Sequence, residues 1–595
     1  MALSAAIAVL VAALASAPGS GAQEPGDELR FEATSTYTVD PVASVIHVAV
    51  DVALTNEAAP EYGTSSIRNF YWPEVGLPVL AEAANLAAAR FDGSPLGVRV
   101  EAVDHPAIAF AVVDLEPDLQ YRDTQGFRLT YDLPDQPPRS DRITRANPGY
   151  VSVLPLVVGD PGLANVKVVV PDGYEVEVLG TSTLNPERQT GQTSWNATAI
   201  DDPDGWDASL TARNGDALTE VVVDMRGQDI AVRSWPGDGE WSDFVTRYVR
   251  EGLPVLADLI GRPWPLDDTL RIEETISPYL YLYSGWYRPD DGLIEIGDEL
   301  EAIVVLHEMA HAWFDSGLFA ERWINEAFAE EFAARTLERL GEPLEQPDPV
   351  VAGDPGAIRL NDWSTPLLSA SISEDQERFG YNVSLLLARI LSDEIGMEGL
   401  ARVVAAADDD AIAYRGDPEA EQWDRPTDWR RLLDLLEEVG GSQQAGALFA
   451  ANVVAGAEEL SLVQRTESRR AYDELEAAGA GWTVPLQVRR GMGLWEFESA
   501  AAYMTLAREV LGLREQLAAA LLPLGLIVPV HLEASYESAE RIALVRDDAV
   551  ALLAAAERLV ETEHLVHGDR GVWESIGLLG GGAEQPYDDA VAALA

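Results

Sequence analysis

The chain holds seven histidines in 595 residues, and two of them, His307 and His311, stand four apart in VVLHEMAHAWF (304–314), with Glu308 directly after the first. On an α-helix this spacing puts both imidazoles on one face, one turn above the other. Two nitrogens so placed can share a single zinc ion at about 2.0–2.1 Å. Glu308 then projects beside them, able to take a proton from a water that the ion has made acidic. The competing reading is a buried amphipathic helix that carries the pattern by accident, at odds on the order of one in a hundred by composition. Apolar or small neighbours on both sides, among them Val305, Leu306, Met309 and Ala310, suit a buried site helix in which nothing competes for the ion.

A catalytic zinc keeps three protein ligands and one open position. No cysteine occurs in the chain, so the third must be a histidine or a carboxylate. The next helical stretch offers Glu326, Glu330 and Glu331.

RWINEAFAEEFA (322–333), coming after HEMAHAWF, resembles the gluzincin metallopeptidases and, within them, the M1 aminopeptidase family, whose zinc helix is followed by W-x-N-E-G-F-A. Trp323, Asn325, Glu326, Phe328 and Ala329 match, with Ala327 in place of the glycine. The resemblance implies one zinc per chain on His307, His311 and Glu326, with Glu308 as general base and acid. The family's usual gap between second histidine and ligand is longer than residues 312 to 325 here, and counting it strictly lands on Glu330. With Glu326 as ligand, Glu330 lies one turn on, placed to accept a hydrogen bond from a ligating histidine, and Asn325 is a neighbouring support. A solvated acidic face is the other reading of Glu330 and Glu331.

The family also supplies a tyrosine for the oxyanion, at the opening of a later helix. RFGYNVSLLLARILSDEIG (378–396) has that layout and implies Tyr381 in the role. The family's G-x-M-E-N segment, which grips a substrate amine, is replaced: WYRPD (286–290) stands opposite it, with Pro289 at the glutamate's place. Asp290 or Asp291 could substitute, although a Pro-Asp-Asp-Gly turn explains them equally well. Trp286 and Tyr287 would then form an aromatic-lined substrate edge.

These residues need elements to carry them. Short alternating runs such as SVIHVAVDVAL and GFRLTYDL, separated by Pro, Gly, Asn and Asp, predict an antiparallel β sandwich. Residues 133–150 read as a loop, and further strands extend the β-rich region to about 225. From there the period changes: a helix over 243–261, a buried strand over 269–276, a strand-turn-strand over YLYLYSGWYRPDDGLIEIG, then the zinc helix with Asp298 and Glu301 as a capping box. A second helix is predicted from Glu321 to Leu340, stopped by Gly341. Beyond Gly396 Ala, Leu, Glu and Arg recur at helical spacing. The apolar piece LAAALLPLGLIVPV (517–530) is too short to span a membrane and reads as core.

The whole is a multidomain α+β chain: an N-terminal antiparallel β domain (27–225), a catalytic domain (226–396) that the resemblance makes thermolysin-like, and an all-helical C-terminal domain (397–595). Its length calls for several cores. Acidic residues number 100 against 41 basic ones, and Lys167 is the only lysine. That balance excludes a nucleic-acid partner, which needs a basic footprint. Residues 1–22 combine an apolar run with Ser20-Gly21-Ala22, a secretory signal in pattern though without a leading Lys or Arg. The expected setting is periplasmic, cell-surface or extracellular, with membrane or cell-surface association conceivable and a peptide or protein as substrate. The resemblance favours aminopeptidase action. An endopeptidase of the same fold, or a non-catalytic surface binding protein retaining it, are the alternatives, and oligomeric state has no signature.

Overall fold

A computed structural model describes residues 29–564, except 65–66, 226–227, 267–268, 282, 345, 365–372 and 417–424, together with 589 and 591–592. The signal-like segment 1–22 lies outside the described residues, as does most of the C-terminal stretch.

The N-terminal region is built on strands with period-two burial. In Val45–Asn56, Ile46, Val48, Val50, Val52 and Leu54 are buried while their neighbours are partly or fully exposed. Alternation of this kind gives a sheet one wet and one dry face. This strand lies inside an eight-stranded sheet between Leu29–Asp40 and Thr124–Pro134. One pair departs from the antiparallel expectation: Leu29–Asp40 runs parallel to Ala164–Pro171. Three-stranded and four-stranded sheets and a two-stranded one complete the region, and Leu77, Phe110 and Val151 from the first two share one core with the large sheet. The segment 133–150 is not wholly loop, because Arg145–Ala146 forms a short strand paired with Tyr150–Val153.

The middle region is a five-stranded mixed sheet carrying the helices of the site. Its strands are β1 (Thr219–Met225), β2 (Gln228–Ser234), β3 (Leu270–Glu274), β4 (Gly285–Arg288) and β5 (Leu293–Ile296), in the order β1-β2-β3-β5-β4. β1 falls in the stretch read from sequence as the end of the β-rich region, yet it pairs with β2 in this sheet. Its register, with Met225 opposite Gln228, ties it to the middle region. β2, β3 and β5 are parallel neighbours, while β4 is an antiparallel edge.

Helix α1 (Gly239–Ile260) starts at Asp238, whose side chain accepts from the Trp241 N–H, and ends at Gly261 in the left-handed region. It packs against α2 (Ala302–Ala310), the helix of His307. A Cβ on Gly252 of α1 would lie 2.6 Å from Leu306 Cδ2, so the close approach of the two helices depends on that glycine. Helix α3 (Arg322–Leu340) ends at Gly341, which is left-handed. Helix α4 (Glu374–Asp408) is capped by Ser373 and kinked at Gly396, where φ is 73°. Tyr381 therefore sits two turns inside α4 rather than at its opening.

The capping box expected at α2 does not form. Glu301 is the cap residue and makes no side-chain capping bond. Asp298 is instead buried against Arg145, whose Nη2 donates to it at 2.9 Å, and it also accepts from the Arg139 backbone N–H at 2.6 Å. A buried carboxylate needs such a partner more than a helix end needs a cap.

The C-terminal region is helical, with Ala457–Gly479, Phe497–Leu521 and Ile542–Glu563 the longest elements after α4. Its buried residues share a single core with the middle region, from Val223 to Ala556. The 517–530 stretch divides: Leu517 and Leu521 are buried, whereas Leu522, Ile527 and Val530 are exposed, contrary to a reading of the whole piece as core. No helix among the described residues is long and apolar enough to cross a membrane.

Candidate metal centre

Helix α2 and the C-cap residue that follows it deliver His307 and His311 to one side, and α3 brings Glu326 across from them. His307 Nε2 and His311 Nε2 are 3.0 Å apart, and Glu326 Oε2 lies 3.2 Å from the first and 3.5 Å from the second. Three donors around one tetrahedral ion at about 2.0–2.1 Å would be separated by about 3.3–3.4 Å, so this triangle has the size zinc requires. It is the one His/Asp/Glu group of metal-holding geometry among the described residues.

The remaining nitrogens fix the tautomers. His307 Nδ1 faces Glu330 Oε2 at 2.7 Å and His311 Nδ1 faces the Phe314 carbonyl at 2.9 Å. Both acceptors require a hydrogen on Nδ1, which leaves both Nε2 lone pairs pointing at each other and at Glu326. Glu326 Oε2 is itself buried without a hydrogen bond of ordinary geometry. Three electron-rich atoms in mutual contact on largely buried side chains call for a cation, and a zinc ion fits the donor set.

The electrostatics agree. In the metal-free chain burial alone would lower the His307 pKa, but the Glu326 and Glu330 carboxylates outweigh it and hold the imidazole well above its ordinary range, so positive charge is favoured here. His311 is raised against burial by the Glu326 charge. Glu326 is pulled below the usual carboxylate range, burial being overcome by both imidazoles. Glu308 is raised, chiefly by burial, and its carboxylate has no hydrogen-bond partner among the described residues. It is thus a free base beside the metal-holding triangle.

Glu330 stands against the first histidine from the same helix face as Glu326, not on a solvated face. Glu331 is fully buried and turned elsewhere: Arg389 Nε donates to it at 2.6 Å and Arg335 Nε at 2.8 Å, which ties α3 to α4. The solvated reading thus fails for both glutamates. Asn325 does not touch the ligands; its Nδ2 donates to the Phe319 carbonyl at 3.0 Å and pins the start of α3. Replacing Glu330 by alanine strands a buried Nδ1–H, and zinc affinity is expected to fall about 10- to 100-fold. Competition with a chromophoric chelator measures it, and unchanged affinity would show that Glu330 gives the ligand nothing.

The substrate side differs from expectation. A Cβ at Gly285 would lie 2.8 Å from Glu308 Cγ, so edge strand β4 passes directly against the base and only glycine fits there. Alternation along the strand then turns Tyr287 to the same face and Trp286 to the opposite one. Trp286 donates its indole N–H to Glu295 at 2.5 Å, and Arg288 pairs with the same carboxylate at 3.2 Å. Trp286 is therefore a strut of the sheet's far face and does not line the edge beside the zinc helix. Asp290 is exposed in the turn Pro289–Asp291, and Asp291 pairs with Arg288 at 3.0 Å.

Several residues here have no counterpart in the sequence reading. Arg322, one turn before Glu326, donates to Glu377 through Nη1 at 3.0 Å and Nη2 at 2.8 Å, and to the Tyr381 oxygen at 3.1 Å. Its Nε is 3.7 Å from Glu326 Oε1. Glu377, one turn before Tyr381, also accepts from Trp363 Nε1 at 2.9 Å and the Tyr283 hydroxyl at 3.0 Å. The signal was present as two i, i+4 pairs, Arg322/Glu326 and Glu377/Tyr381, but nothing in the sequence says that the two helix faces meet.

No protein-family model matches the chain, and no curated protein matches it. Among solved structures, an M1 zinc metallopeptidase from Deinococcus radiodurans is 17% identical over 72% of this chain and 95% of that chain, with a TM-score of 0.29. A mutant form of the D. radiodurans peptidase, bound to a Tyr-Ser-Ala substrate, is 16% identical over the same shares, also at a TM-score of 0.29. Likeness at this level places no residue, and the site stands on its own geometry.

Proposed function

We propose that this chain is an exported zinc-dependent metallopeptidase. The observation that carries the reading is the triangle of His307, His311 and Glu326 donors with the unpartnered carboxylate of Glu308 beside it. Zinc held there would act as a Lewis acid, polarising a peptide carbonyl and bringing the pKa of water to about 7. Glu308 takes the proton from the attacking water and returns it to the leaving amine. Tyr381 offers its hydroxyl to the carbonyl oxygen as negative charge develops. Edge strand β4, bare at Gly285, leaves room for the Glu308 carboxylate against the sheet edge. Export rests on the character of residues 1–22, and the acidic composition speaks for a peptide or protein substrate over nucleic acid.

The resemblance to aminopeptidases favours removal of N-terminal residues. A second reading, cleavage within chains, is favoured by the engagement of two candidate carboxylates: Asp291 is paired with Arg288, and Glu377 is saturated by four donors, which leaves exposed Asp290 as the remaining candidate of the turn. Neither of the two engaged carboxylates is free to grip an amine. Hydrolysis of aminoacyl reporters alongside internally quenched peptides with blocked N-termini separates the two. Cleavage of the first set alone means exopeptidase action, and cleavage of blocked peptides means internal action. Failure on both, with zinc bound, would leave the chain a binding protein of this fold.

A further inference from the structure

Arg322 is a cation that stands among the groups of the proposed site, and both terminal nitrogens of its guanidinium are hydrogen-bonded, Nη1 also to the Ser364 carbonyl at 3.3 Å. Its side chain is 9% exposed and its Cζ lies 4.0 Å over the Trp363 ring. The paired bonds to Glu377 fix the plane of the fork, since two parallel N–H···O contacts leave no rotation. Trp363 and Tyr283 fill the remaining capacity of Glu377, so the carboxylate cannot swing away. What the fixed fork then does is present Nη2 to the Tyr381 oxygen at 3.1 Å.

Arginine only donates, whereas a phenol has one hydrogen and two lone pairs. The Tyr381 oxygen must therefore accept from Arg322, and its own hydrogen points elsewhere. That hydrogen has no acceptor among the described residues. Trp363 meets the Tyr381 ring edge-on, with centroids 4.9 Å apart, and limits where the ring can turn.

We propose that Arg322, held by Glu377, is a positioning residue that orients Tyr381 so that its hydroxyl hydrogen is presented to the carbonyl oxygen of the peptide bond under attack. The inference rests on the peptidase reading above. It predicts that Arg322 acts through Tyr381 and not through the metal ligand Glu326, although its Nε approaches that carboxylate.

The test is a double-mutant cycle on the full chain with Arg322→Gln, Tyr381→Phe and both together, read as kcat, KM and affinity for a phosphinic peptide that mimics the tetrahedral transition state. Residues acting as one unit give losses that do not add. Each single change is expected to lower kcat and analogue affinity about tenfold or more, with KM nearly constant. The double variant is expected to be within about twofold of Tyr381→Phe. The pair Arg322→Gln with Glu377→Gln removes the stranded charge and is expected to repeat the result if Arg322→Gln alone folds poorly. Zinc content stays at one per chain in all variants. Losses that multiply, or loss of zinc in Arg322→Gln, overturn the inference while leaving the peptidase reading intact. A native protein that hydrolyses no peptide overturns both.

Discussion

Glu308→Gln is expected to lower kcat by about 10²- to 10⁴-fold while the protein keeps its zinc. Glutamine has the shape of glutamate but cannot take a proton. The native carboxylate is buried, has no hydrogen-bond partner among the described residues and faces strand β4 across Gly285. Its loss therefore removes proton transfer without breaking a structural contact. Burial raises the Glu308 pKa above its ordinary value of 4.5, the neighbouring imidazoles notwithstanding. A base must be ionised to act, so activity is lost as pH falls through its pKa in the zinc-loaded protein, where the ion's charge opposes the effect of burial. The native protein should show an acid limb in kcat/KM set by this group, and the residual activity of the glutamine variant should lack it. Steady-state kinetics across pH, with metal analysis of the same samples, checks both points. Near-native turnover in the variant would remove Glu308 from the mechanism.

The second large effect is loss of the ion. Glu326→Ala and His311→Ala each remove one corner of the donor triangle and are expected to abolish stoichiometric zinc binding and all hydrolysis. Because an ion that binds only the folded state stabilises it by mass action, free zinc at about 1,000 times Kd is worth about 4 kcal/mol to the native protein. That increment should vanish in both variants. It also depends on pH, with a definite sign. In chelator-treated protein His307 and His311 have folded pKa values above the ordinary 6.5, so the stability they contribute is fully present below 6.5 and lost as pH rises through the raised values. Zinc needs the deprotonated rings, so its contribution grows over the same range. The gap in Tm between zinc-loaded and stripped protein should widen from pH 6 to pH 8, as scanning calorimetry would show. A gap independent of pH would mean that the imidazoles do not hold the ion.

What was legible in the sequence was local. His307 and His311 meet because four residues make roughly one helical turn, and Glu326 and Glu330 share a face of α3 for the same reason. Gly341 marks the end of α3 because the helix must turn left-handed there. The β-rich, mixed and helical regions follow from changes in hydrophobic period. What escaped was long-range or depended on which way a strand faces. Asp298 suited a cap by spacing, yet its partner Arg145 is 153 residues away in sequence. By its place in the chain Trp286 suits a substrate edge, but one residue of register decides the face, and Gly285 takes the side toward Glu308. Arg322, Glu377 and Tyr283 come together only because α3, α4 and the segment before β4 converge. No short motif records that meeting.

The most direct test is anomalous diffraction at the zinc edge from crystals of protein purified without added metal. The predicted result is one zinc ion per chain bonded to His307 Nε2, His311 Nε2 and a Glu326 carboxylate oxygen at about 2.0–2.2 Å, with Glu330 hydrogen-bonded to His307 and not to the ion. An ion coordinated by Glu330 in place of Glu326, or none on the two histidines, would contradict it.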